Sequence, residues 1–185
     1  CAVLAEDTEN PSNDSETQAT ASNLASVNKC PFIPIPKGTI PAEVLSVLND
    51  LNVTNITYVG SEMAQSIRDA LSGYNLTEII GNRTRIRRRI AALIINKTRK
   101  FTIVAAPNWK DTLSIGVNEN NNSLIRVVRN VDEMPEVIDY INENNITEVK
   151  VVGNPFLAGQ IVNNLTASGI SATKYVGRTP GAVGR

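Results

Sequence analysis

The sequence predicts an α/β protein with a mainly parallel sheet, preceded by an extended N-terminal arm. Three observations point there. Short apolar runs alternate with helix-like stretches, aromatic residues make up only 4% of the chain, and one strand–turn–helix–strand stretch occurs twice. With so few rings, burial has to come from Ile, Val, Leu and Ala, as in strands covered on both faces. In the first copy, residues 55–60 lead into 61–71 and then 76–81. In the second, 149–153 lead into 154–165 and then 172–177. Gly60 and Gly153 suit a tight turn from strand to helix. The chain therefore reads as one full repeat and the first half of the next.

Residues 1–40 form the predicted arm and linker, and residues 41–185 the α/β domain. Residues 1–28 are polar, with no hydrophobic period after Leu4. Such a segment orders only by lying against something, either its own domain or another subunit. The run 31–36 follows, in which alternating prolines favour an extended chain. Phe32, Ile33 and Ile35 are too apolar for a free linker, so they are read as a docked assembly strap. Pro41 suits the first turn of a helix carrying Val44, Leu45, Val47 and Leu48. After the first copy of the repeat, Thr84 is placed to cap a helix from Arg85 to about Asn96, with Ile86, Ile90, Leu93 and Ile94 inward. Residues 101–106 read as a strand, 111–116 as a short helix, 118–122 as a polar loop and 124–128 as a strand. Residues 133–143 read as a helix with Met134, Val137, Ile138 and Ile141 inward. Strands alternating with helices imply parallel pairing.

The formal net charge is zero but unevenly spread. Glu6, Asp7, Glu9, Asp14 and Glu16 lie in residues 1–28, which hold no Lys or Arg. An acidic arm on a basic body attracts a neighbouring copy. No apolar run is long enough to span a membrane, and Cys1 suggests that a signal peptide has already been removed. Asn-x-Ser/Thr triplets begin at Asn13, Asn52, Asn55, Asn75, Asn82, Asn96, Asn121, Asn145 and Asn164. Composition alone predicts roughly three such acceptors, so the chain is read as extracellular and N-glycosylated, at the cell surface. Cys1 and Cys30 can pair in an oxidising compartment. The rival reading is a lipid anchor on Cys1, which leaves Cys30 unpaired.

Arg83, Arg85, Arg87, Arg88 and Arg89 are the densest charge cluster. They sit at a helix start, where the backbone dipole disfavours cations. The arrangement makes sense beside an acidic group of a polymer or partner; the bland alternative is a solvated helix face. No stacking aromatics accompany it, so nucleic acid is a poor fit. Asp111 is positioned to cap a helix, and Trp109 to anchor packing. Neither G-x-G-x-x-G nor a G-K-[ST] loop follows a strand, so no nucleotide cofactor is implied. The chain contains no His, which removes His-based triads and His metal ligands. A non-enzymatic protein with no cofactor and no metal site is the reading.

Several pieces together resemble the type 2 cell-wall-binding repeat family. They are Ile79-Ile80-Gly81-Asn82-Arg83, Ile90-Ala91, residues 108–114, residues 138–144, Val149-Lys150-Val151-Val152-Gly153 and Val176-Gly177-Arg178. The resemblance covers about residues 55–178, as about one and a half repeats. It implies a Rossmann-like, three-layer fold in surface proteins that hold non-covalently to anionic wall polymers, with Arg83 and Arg178 the inherited binding positions. Asn82 directly precedes Arg83 here, without the family's Asp, and Pro107 stands where a glycine is typical.

The expected function is a structural one: a glycosylated subunit that self-assembles head-to-tail into a filament or surface layer through its N-terminal arm. The alternative is a module that attaches to an anionic cell-wall polymer.

Overall fold

The computed structural model describes residues 1–7, 11–107 and 123–176, with the side chains of residues 11–16 and 176 left aside. Expectations for Trp109, Asp111, Asn121 and Arg178 lie outside the described residues, as does the side chain of Asn13. The fold is α/β, with two four-stranded sheets in which every pair of neighbours is parallel. The chain divides into two compact units, Cys1–Leu93 and Ile94–Arg185.

The first unit runs β1 (Ala2–Asp7), α1 (Pro11–Asn28), β2 (Phe32–Pro36), α2 (Ala42–Asp50), β3 (Asn55–Gly60), α3 (Gln65–Ala70) and β4 (Asn75–Ile80). Helix α4 (Arg83–Thr98) then crosses the division in sequence. The sheet order is β2-β1-β3-β4. The expected extended arm is corrected here, because its residues form a strand, a helix and a strand inside the first unit. β1 lies between β2 and β3, pairing Val3 with Phe32 and Ala2 with Ile56. Ala2, Val3, Leu4 and Ala5 are buried, and α1 sets Ala21, Leu24, Ala25 and Val27 into the interior. The physical reason is spacing: Ala21, Leu24 and Ala25 recur at helical intervals, and small residues let a polar helix approach the sheet. Pro11 occupies the first helical position, where it lacks no needed donor.

The assembly strap is corrected in the same way. Phe32, Ile33 and Ile35 belong to β2, and Ile35 is fully buried in the unit's own core. β2 is an edge strand, which is where Pro34 and Pro36 are tolerated and where they discourage a further strand from adding. Cys1 is disulfide-bonded to Cys30, with Cα atoms 5.4 Å apart. A thioether lipid would need the same sulfur, so the bond and that anchor exclude each other. Closing a loop of this length contributes about 3 kcal/mol. Changing both cysteines to Ser is expected to lower the first unit's stability by about that amount, read by hydrogen exchange on peptides from β1 and β3.

The second unit runs β5 (Lys100–Ala105), β6 (Leu124–Val128), a 3-10 turn (Val131–Glu133), α5 (Met134–Glu143), β7 (Glu148–Gly153), α6 (Pro155–Ala167) and β8 (Ala172–Val176). Its sheet order, β6-β5-β7-β8, repeats that of the first unit strand for strand. The register matches too: Ala2 faces Ile56 as Phe101 faces Val149. The expectation of one and a half repeats is therefore corrected to two sheets of equal strand number. The recurring stretch is β3-α3-β4 against β7-α6-β8, the second half of each unit.

In the first unit, Leu4, Ile35, Leu48, Ile56, Tyr58, Ile67 and Leu71 make one core against α2 and α3. In the second, Val137 and Ile141 of α5 and Leu157, Ile161 and Leu165 of α6 are buried, and Tyr140 packs on Phe101 with ring centroids 5.8 Å apart. Two local details differ from expectation. Asn82, not Thr84, accepts from the Arg85 backbone N–H at 2.9 Å at the start of α4, because the helix begins earlier. Leu93 is half exposed, and Ala91 and Ile95 are buried beside Ile90 and Ile94.

Candidate functional site

In a sheet ordered β2-β1-β3-β4, the chain passes from β1 to β2 on one side and then crosses back to form β3 on the other side of β1. The crevice at the carboxyl ends of β1 and β3 is where open α/β sheets place ligands. In the first unit that position holds Glu6 at the end of β1 and Gly60, Ser61 and Glu62 at the end of β3. Glu6 is 3% exposed. Its Oε2 accepts from the Ser61 backbone N–H at 2.8 Å and from Ser61 Oγ at 3.0 Å. A buried carboxylate is costly without donors, and two from one residue tie the β3–α3 turn to β1. Gly60 leaves the room for this: a Cβ there would meet Glu6 Oε2 at 2.8 Å and the Tyr58 hydroxyl at 2.9 Å.

Tyr58 is fully buried and donates its hydroxyl to the Glu62 carbonyl at 2.9 Å. Burial, helped by the Glu6 charge, pushes its phenol well above the ordinary tyrosine value. Above about pH 10 the unfolded chain loses that proton while the folded one keeps it, so stability falls as pH rises. Tyr58→Phe removes this dependence. The advantage of wild type over the variant is expected to shrink by about 1.4 kcal/mol per pH unit above pH 10, measured by urea unfolding at a series of alkaline pH values.

The cluster is a structural latch, with Tyr58 locked as a hydrogen-bond donor. In the second unit Ala105 and Asn154 occupy the places of Glu6 and Ser61, and the Asn154 N–H donates straight to the Ala105 carbonyl at 2.8 Å. Sequence reasoning missed the latch because Glu6 was counted only as part of an acidic segment. The signal available was an acid at the end of the apolar run Ala2-Val3-Leu4-Ala5, with Gly60-Ser61 ending another.

The arginine cluster stands on the same carboxyl edge. β4 delivers the chain to α4 through Gly81, whose N–H donates to the Gly60 carbonyl at 3.1 Å. Gly81 has φ +138°, and a Cβ there would meet Arg85 Cδ at 2.8 Å, so the Arg85 stem folds over this glycine. Arg83, Arg85, Arg88 and Arg89 are exposed and Arg87 is half-buried, while Ile86 and Ile90 turn inward. Arg85, Arg88 and Arg89 are three and four apart and share one face. No acidic residue lies in the first turn of α4. Among the described residues, no group of three or more His, Cys, Asp or Glu could hold a metal, and no helix is long and apolar enough to cross a membrane.

Asn52, Asn55, Asn75, Asn82, Asn96, Asn145 and Asn164 are all exposed. Asn52 and Asn145 have φ +49° and +48°. They occupy equivalent helix ends, where Val53 N–H donates to Leu48 O and Ile146 N–H to Ile141 O. Asn tolerates this left-handed conformation best after Gly, so these two positions have a purely conformational reason to be Asn.

Fold and site together define an α/β protein of two doubly wound parallel sheets, with a carboxylate latch and an arginine face on one edge of the first. Among solved structures the chain is similar to Cwp6 from Clostridium difficile, with a TM-score of 0.64 and 19% identity. The match covers 97% of this chain and 30% of that one. At that identity the likeness shows the fold alone. No protein-family model matches the chain, and no curated protein does.

Proposed function

We propose that this is an exported, N-glycosylated, non-enzymatic cell-surface protein that holds to an anionic wall polymer through the arginine face of α4. The observation that carries the reading is the exposed stripe Arg85, Arg88 and Arg89, with no acid in that helix's first turn. Guanidinium groups pair strongly with phosphate and carboxylate. The surface location is supported by the roughly threefold excess of Asn-x-Ser/Thr triplets over composition and by the disulfide. Head-to-tail polymerisation by an N-terminal arm loses its premise, since residues 1–36 complete their own sheet.

Pull-down with purified anionic wall glycopolymer tests the reading. Arg85→Ala/Arg88→Ala/Arg89→Ala is expected to bind at least about tenfold more weakly, a loss of ~1.4 kcal/mol. Wild-type binding is expected to fall as salt rises. Equal binding by the variant, or no binding by wild type, overturns it.

A further inference from the structure

We propose that Asn55 and Asn75 form a single N-glycan position, in which modification of either residue excludes the other. The inference rests on the reading of the protein as an exported glycoprotein and specifies one of its attachment sites. β3 and β4 open with two acceptor triplets, Asn55-Ile56-Thr57 and Asn75-Leu76-Thr77, set side by side in the sheet. Asn55 is the register partner of Asn75, and Thr57 that of Thr77. Both asparagines therefore leave the same face of the sheet, one strand spacing apart, about 4.8 Å. Their side chains touch: Asn75 Nδ2 donates to Asn55 Oδ1 at 3.3 Å, and Asn55 Nδ2 donates to Thr54 Oγ1 at 3.0 Å.

N-glycosylation joins Nδ2 to C1 of an oligosaccharide activated as a polyprenyl phosphate ester. The N–C1 bond forms, the bond from C1 to the phosphate oxygen breaks, one amide proton leaves, and the lipid phosphate is released. The modified amide keeps one N–H, enough to retain the hydrogen bond it already makes. A pyranose ring with its hydroxyls is wider than the gap between strands, so a sugar on one Asn covers the amide of the other. Transfer after folding then stops at one. Transfer to both before folding leaves two sugars competing for one strand spacing, and β3 and β4 cannot close their register.

Intact mass of the full-length glycoprotein decides this, comparing wild type, Asn55→Gln, Asn75→Gln and the double variant. Wild type and both single variants are expected to carry the same number of glycans, and the double variant one fewer. Fragmentation of the wild-type peptide 38–97, released by cleavage at Lys37 and Lys97, reads both positions on one molecule without any variant. It is expected to show one or the other modified, never both. Two glycans on the pair, or a double variant with the wild-type number, overturns the inference alone. A wild-type chain with no glycan at any acceptor overturns the glycoprotein reading with it.

Discussion

Deleting residues 1–36 is expected to unfold the first unit. The segment supplies β1, which is hydrogen-bonded on both sides, together with β2 and the helix covering them. Its removal leaves β3 paired only with β4, and a two-stranded sheet is not independently stable in water. The loss in burial is decisive as well. Val3, Leu4, Leu24, Val27 and Ile35 are all buried, and each such side chain contributes about 1.5–3 kcal/mol, against a typical total stability of 5–15 kcal/mol. Hydrogen exchange on peptides from residues 55–80 is the measurement. Protection there should collapse in the truncated chain. Full protection would mean that the segment is a dispensable arm after all.

Gly153→Ala is expected to destabilise the second unit by at least about 3 kcal/mol. Gly153 has φ +117°, a region L-residues rarely adopt, and strain of that kind costs about 1–3 kcal/mol. A Cβ there would also sit inside the van der Waals surface of the Ala105 carbonyl oxygen and 3.0 Å from its carbon. That carbonyl accepts from Asn154, so relief by moving the backbone breaks the turn into α6. Gly60, at the same place in the first unit, would strike a glutamate side chain instead of backbone. Gly159→Ala is the control, since among the described residues its Cβ would meet only Lys174 Nζ at 3.5 Å and a helical Gly→Ala change is worth up to about 1 kcal/mol of added stability. A Gly153→Ala midpoint in urea within error of wild type would show the close approach to be unimportant.

Strands β3 and β7 and helices α2 and α5 were legible because their signals are local. Runs such as Tyr58-Val59-Gly60 and Val151-Val152-Gly153 say strand and turn without reference to anything distant. β1 and α1 were not legible in that way. Four apolar residues bounded by Cys1 and Glu6 are too short to stand out, and half of the helix behind them is Ser, Thr and Asn. The count of repeats went astray for the same reason, since the first half of the first unit looked like an appendage. The arginine face was visible as composition. The latch was not, because Glu6 and Ser61 are 55 residues apart.

From the order of its residues alone, this protein was committed to parallel α/β architecture, to a recurring strand–helix–strand stretch and to an abundance of Asn-x-Ser/Thr triplets. Each of these is a property of neighbouring residues or of composition. Only the tertiary structure decided that the N-terminal segment lies inside a sheet, that Glu6 is buried and that Asn55 and Asn75 share one place on the surface. A strand's burial and a side chain's partners depend on which distant segments lie beside it, and chain topology, not local preference, brings those together.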